Sequence, residues 1–246
     1  MAELEGRIRI ANKIIAEAEK YGENSYWFTC RINALELADT ITATYHFGTQ
    51  GETVADTYSA MTYINLVRER FPEQQKLIGL VNALQNYGYY MQQSGWRDGR
   101  EHTQIAKQSN CSSIETARNG VSGQEIIKQL EGSGIEDVKF SLTLNAQTII
   151  NVFFKPESGV AFSSGYVGTT TLNGGTYYQI NTAKIGPRNL GKMYTITAKT
   201  DSGTAEVKVS AMSYVYAVLA TNSAFTEAQQ YAMAAYYDYW RAANAY

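Results

Sequence analysis

Two histidines, His46 and His102, are the only imidazoles in the chain, so they bound the acid–base chemistry it could perform near neutral pH. A nucleophilic relay would need one of them within reach of a hydroxyl and a carboxylate, in any order along the chain. No GxSxG elbow accompanies them, and Gly120-Val121-Ser122-Gly123 does not make one. His46 falls on the polar side of a predicted strand and His102 in a polar segment, where a solvated side chain is the ordinary expectation. HExxH, a Walker loop, a dinucleotide fingerprint and an EF-hand loop are all missing from the sequence. Acidic side chains fall mostly in turns and on polar helix faces, which reads as solvated charge rather than a glycosidase pair. Cys30 and Cys111 lie far apart without CxxC spacing, so they permit one disulfide in an exported protein or two unrelated thiols. Asn110-Cys111-Ser112 matches a glycosylation sequon, a weak three-residue signal. The expectation is a protein that is not an enzyme and holds no metal or cofactor.

Aromatic residues are the richer resource, with nineteen tyrosines and three tryptophans. Such side chains give contact area at low entropic cost together with a polar tip, which suits protein-binding and sugar-stacking surfaces alike. Tyr63, Tyr87, Tyr214, Tyr236 and Tyr239 sit at helical spacing among apolar residues and are expected in the core. Tyr89 and Tyr90 are adjacent and cannot share one helix face, and Trp96 follows in a polar stretch. Tyr177 and Tyr178 point to opposite faces of a strand, and Tyr166 lies in a Gly/Ser loop. These six are the candidate ligand-binding residues.

The elements that must position them occur twice. Ser59-Ala60-Met61-Thr62-Tyr63-Ile64 matches Ser210-Ala211-Met212-Ser213-Tyr214-Val215. Upstream, Thr40-Ile41-Thr42-Ala43 matches Thr195-Ile196-Thr197-Ala198, and downstream Tyr87 falls opposite Tyr239. Gaps confined to turns are the mark of a diverged tandem duplication. In each copy a period-two pattern, with Tyr194, Ile196 and Ala198 returning as Ala205, Val207 and Val209, gives a hairpin with one apolar face. Gly48 to Gly51 turn the first hairpin. The period then lengthens behind Ser59 and Ser210, which are placed as helix N-caps. Met61, Ile64 and Val67, or Met212, Val215 and Val218, form the stripe of one helix. A second helix follows, with Leu77, Leu80, Leu84, Tyr87 and Met91 in the first copy and Thr226 to Asn244 in the second.

The predicted fold class is therefore α+β, two diverged copies of a β-hairpin plus αα-hairpin unit. Leu4, Ile8, Ala11, Ile15 and Ala18 predict an amphipathic N-terminal helix over 1–22. The first unit covers 23–94, beginning with the alternating strand Tyr26 to Ala34. A polar connector covers 95–121, and a second, strand-richer unit covers 122–246. That unit opens with a short helix, Gln124 to Glu131, and gains strands at Val138–Ala146, Gln147–Phe154 and Thr176–Thr182. A net charge of −2 and a pI near 5.8 argue against a nucleic-acid or anionic-lipid footprint. No apolar run reaches the roughly 18–20 residues of a membrane span, and "MAELEGRIRI" lacks a secretory h-region, so it reads as an artificial start or an internal cut.

Taken together, "LTLNAQTIINVFF", "LGKMYTITAKTDSGTAEVKVSAMSYVYAVL" and "YYDYWRAANAY" resemble a module of large surface and secreted proteins of gut Clostridia (Lachnospiraceae and Ruminococcaceae). The segment "ADTITATYHFG…YSAMTYINLV…LVNALQNYGYYMQ" resembles its sister version. The resemblance covers about residues 26–92 and 138–246, and departs from the pattern at Tyr89-Tyr90 and Asp238-Tyr239-Trp240, which adds Trp240 to the candidate site. Some related surface proteins are immunoglobulin-binding superantigens that seize antibody variable domains. The resemblance thus implies an extracellular or cell-surface binding module with host immunoglobulin as partner. A carbohydrate-binding module using exposed aromatics, or a structural spacer, are the alternatives.

Overall fold

The computed structural model describes residues 5–10, 13–14, 18–20, 26–28, 30–47, 52–96, 98–144, 147–221 and 224–246, with side chains from residue 30 onward except 45–47 and 52–53. The turn expected at Gly48 to Gly51 lies outside the described residues. In the N-terminal half come β1 (Glu5–Ile10), β2 (Lys13–Ile14), β3 (Ala18–Lys20), β4 (Tyr26–Phe28), β5 (Ile41–Phe47), β6 (Glu52–Tyr58), α1 (Ala60–Arg70) and α2 (Gln75–Gln93). Next are α3 (Ile114–Gly120), β7 (Ile127–Gln129), β8 (Ile135–Leu144), β9 (Thr148–Pro156), β10 (Gly168–Leu172) and β11 (Gly175–Asn181). The chain closes with β12 (Tyr194–Lys199), β13 (Thr204–Val209), α4 (Ala211–Ala220) and α5 (Glu227–Ala245). The class is mixed α+β, and every pairing among the described strands is antiparallel. No helix among the described residues is long and apolar enough to cross a membrane.

Three expectations are corrected. Over 1–22 the described residues are strands, not a helix. Arg7-Ile8-Arg9-Ile10 also fits a period of two, and β1 gains a full ladder by pairing along β5, from Glu5 opposite His46 to Ile10 opposite Ile41. The strand expected over Tyr26 to Ala34 stops at Phe28, and a 3-10 turn runs from Ala34 to Glu36 under the side-chain cap of Asn33. Gln124 to Glu131 is no helix either. Its centre is β7, which closes the outer edge of β13.

The two units share an order of elements. Ser59 Oγ accepts the N–H of Thr62 and Ser210 Oγ that of Ser213, so both serines cap their helices. Ahead of each hairpin a 3-10 turn ends in a leucine whose carbonyl reaches the second residue of the helix. Leu37 accepts from Met61 at 2.8 Å, and Leu190 from Met212 at 3.1 Å. Ile41 lies opposite Tyr58 as Tyr194 lies opposite Val209, which sets Thr42 rather than Thr40 at the place of Thr195. A slide of two residues keeps every side chain on its expected face. The closing helices α2 and α5 are both 19 residues long.

Most of the apolar core belongs to the second unit. Val138, Val152 and Phe154 of β8 and β9, Ala198, Ala205 and Val207 of the hairpin, and Met212, Val215 and Leu219 of α4 form one cluster, which Tyr87 and Met91 of α2 join from the first unit. A smaller cluster of Ile64, Val67 and Val81 holds α1 to α2. Helix α2 lies along α5 at the seam, where Tyr87 packs 4.9 Å from Tyr236 and stacks 5.8 Å from Tyr239, centroid to centroid. Gly88 is required here, because a Cβ would come within 2.7 Å of the Ala34 carbonyl oxygen.

Candidate functional site

Strand β6 is the outermost strand of the order β2-β1-β5-β6, and among the described residues nothing pairs with its outer edge. An edge strand presents alternate N–H and C=O groups outward, ready to pair with another strand. Residues 54–58 are all exposed, Val54 to half its surface. Beyond the Ser59 cap the apolar exposure continues on α1, with Tyr63 at 63%, Leu66 at 36% and Phe71 at 43%. Val54, Tyr58, Tyr63, Leu66 and Phe71 make five of the nine large exposed hydrophobic residues described, gathered on one strand and the helix that follows it.

At the corresponding places the second unit is closed. Ala205 stands where Val54 does and Val209 where Tyr58 does, counted from the capping serines, and both are fully buried. β7 pairs along β13, and Phe140 of β8 meets Tyr214 of α4 edge to face at 6.0 Å. Tyr63, at the place of Tyr214 counted from the capping serines, was expected in the core and is instead exposed. A helix has room for only one apolar stripe of its width, and Ile64 and Val67 take it.

The aromatic residues picked from sequence are dispersed and mostly packed. Tyr177 is buried and donates its hydroxyl to Asp137 at 2.7 Å, a bond that pushes its pKa up to about 12. Tyr178 stacks on Phe162, 4.4 Å apart at 8°, and Tyr166 meets it edge-on at 4.9 Å. Two rings that spend their faces on each other offer no shared platform to a sugar. Tyr90 stacks on Tyr231, Tyr89 stands perpendicular to Tyr90, and Trp96 packs against the main core, so the sides of α2 are covered more fully than adjacency suggests. Trp240 lies over Gly191 and beside Tyr237, with its Nε1 sealed and unpartnered. Of the seven, Tyr166 alone is exposed.

The connector is better ordered than its composition implies. Amide side chains of α2 zip it down: Gln85 donates to Ala106 O at 2.6 Å, Asn86 Oδ1 accepts from the N–H groups of Gln108 and Ser109, and Gln92 Oε1 from that of Ile105. Ile105 is buried beneath it, α3 forms within it, and Asp238 of α5 accepts from both the N–H and the hydroxyl of Ser112. Cys111 is a free thiol whose pKa burial pushes up, and Cys30 is likewise free.

His102 is no solvated side chain. Its Nδ1 lies 2.7 Å from Asp39 and its Nε2 2.9 Å from Asp98. Arg100 bridges Asp98 to the buried Glu36. Ionised carboxylates can only accept, so this pair of contacts favours the doubly donating imidazolium. Burial opposes that charge, but the bonds to Asp39 and Asp98 outweigh it and raise the pKa. With both nitrogens engaged, the ring staples the connector to the first unit. His46 lies in β5, and its side chain is outside the described residues. In comparisons with family models, curated proteins and solved structures, nothing matches this chain.

Proposed function

We propose that the two units are diverged copies of one hairpin–helix–helix module, and that the first copy is a non-catalytic docking surface for an immunoglobulin variable domain. The shared capping serines, the paired Leu37 and Leu190 carbonyls and the equal lengths of α2 and α5 support the duplication. One observation carries the binding reading: among the described residues no strand lies on the outer edge of β6, and Val54, Tyr63 and Leu66 are exposed where β13 is paired and α4 is covered. What covers the second copy is a strand along the edge of β13 and an antiparallel sheet against α4. An immunoglobulin domain offers both, a framework edge strand and the sheet behind it. Main-chain pairing tolerates changes of side chain in the partner, which a receptor for many antibodies requires. The resemblance to exported modules of gut Clostridia supports a surface or secreted setting.

The test is capture of polyclonal IgA and IgM, and of isolated variable fragments, by the immobilised protein. Wild type should retain them. Val54→Asp combined with Tyr63→Ala should lose at least tenfold in affinity, since a charge and a lost anchor fall on the centre of the contact, while Tyr166→Ala should bind as wild type. No capture by the wild type overturns the immunoglobulin reading. Glycan binding that disappears with Tyr166→Ala would put a carbohydrate module in its place.

A further inference from the structure

Between the Ile32–Leu37 segment of the first unit and the second unit lies a cavity of about 380 Å³. Its walls include Leu84 and Tyr87 of α2, Leu144 of β8, Ile185, and Tyr236 and Tyr239 of α5. None of the described residues lining it is charged. A ligand ion would lose its hydration there with no counter-charge. Two tyrosines differ in what their hydroxyls do. Tyr236 exchanges a 2.6 Å hydrogen bond with Thr148 and is satisfied. Tyr87 is 95% buried, yet its hydroxyl has no hydrogen-bond partner among the described residues. It is also not sealed, since Trp240 Nε1 is the one closed-off, unpartnered side-chain polar atom described. Burial pushes the Tyr87 pKa well above its ordinary value, so the group is a neutral phenol able to donate or accept.

We infer that this cavity binds a neutral, apolar ring compound of two or three fused rings carrying one hydroxyl or carbonyl, its ring against Leu84 and Leu144 and its oxygen on the Tyr87 hydroxyl. Pockets of this size between packed units, apolar apart from a few placed polar groups, are the usual form of small-ligand sites. The inference is separate from the docking surface on β6 and α1, and neither test reads the other.

Two probes that differ by one oxygen, 2-naphthol and naphthalene, test it. In a methyl-detected NMR titration of the whole chain, both should bind below millimolar, with the largest shifts at Leu84, Leu144 and Ile185. Tyr87→Phe removes the hydroxyl and keeps the ring. It should weaken 2-naphthol about five- to tenfold, the worth of one hydrogen bond, and leave naphthalene within about twofold. Absence of binding by the wild type, shifts clustered away from the cavity, or equal weakening of both probes in Tyr87→Phe would each overturn the inference.

Discussion

A strand followed by a serine-capped helix is core in one half of the molecule and surface in the other. Around β13 and α4, Ala205, Val207, Val209, Met212 and Val215 are wholly buried, and a strand and a sheet lie over them. Around β6 and α1, Ile64 and Val67 are the buried ones among the described residues, while Val54, Asp56, Tyr58 and Tyr63 meet solvent. The backbone motif does not decide which is which. What decides is whether the chain supplies a cover. Residues 122–210 contain five strands besides the second hairpin, and one of them pairs along β13; among the described residues no strand pairs along the outer edge of β6. Side chains have followed suit: Val207 stands where Asp56 does, and an acid on an exposed edge resists unwanted pairing.

The harshest way to break this comparison is an aspartate placed at matching positions of both halves. Ala205→Asp places a carboxylate at a fully buried position of the main cluster, opposite the equally buried Ala198. It should cost about 4 kcal/mol or more, most of the stability of an ordinary domain. Val54→Asp, which puts the same acid at the matching edge position, should cost less than about 1 kcal/mol. Urea denaturation of the two variants against wild type reads the difference. Similar losses would mean that the first unit is covered as the second is, and the docking surface would go with it.

The caps offer a gentler contrast. Ser210 is buried, forms a capping box with Ser213 and donates to the half-buried Gln124 at 2.7 Å, so Ser210→Ala takes a donor from that amide as well as the cap from the helix end. A loss of about 1–2 kcal/mol is expected. Ser59 caps in the open, and Ser59→Ala should cost only about 0.5–1 kcal/mol. Equal effects in a denaturant series would erase the distinction between a covered and an uncovered unit.

Much of this was legible from the order of residues. The serines before each helix, the alternation of Tyr194 to Val209 and the 3.6-residue stripes led directly to caps, hairpin and helices, because each is a local rule with its partners nearby. What failed depended on distant partners. Arg7-Ile8-Arg9-Ile10 satisfies two periods, and only β5 selects the strand. Tyr177 looked available until Asp137, on a strand two places away in the sheet, accepted its hydroxyl. The connector read as loose because its anchors are amides of α2, residues whose sequence signature is merely polar. Exposure of β6 was partly visible in Asp56, which interrupts an apolar alternation, whereas the bare helix face at Tyr63 was hidden behind an expectation of core packing.

The smallest effect concerns the staple that the first unit has and the second lacks. Two residues beyond Leu37 stands Asp39, which holds His102; two beyond Leu190 stands Lys192, over the ring of Tyr194. His102 has a raised pKa in the folded protein, so its contribution is complete below the unfolded value of about 6.5 and is lost as pH rises through the folded value. Asp98 runs the other way. Burial would raise its pKa, but bonds from His102 and Arg100 hold it far below the usual range, and its contribution fails only in strong acid. The staple is therefore fully engaged from weak acid to about pH 6, and it loosens above. Because Arg100 and Asp98 are partly solvated, the loss between pH 6 and 9 should stay under about 1 kcal/mol. His102→Gln should flatten that slope, and amide exchange at Thr103 and Ile105, whose N–H groups bond to Asp39 and Gln92, should quicken with pH in the wild type beyond the intrinsic rate. A wild-type stability that climbs from pH 6 to 9, or a slope that His102→Gln leaves intact, would remove His102 from the list of things that bind the connector to the open half.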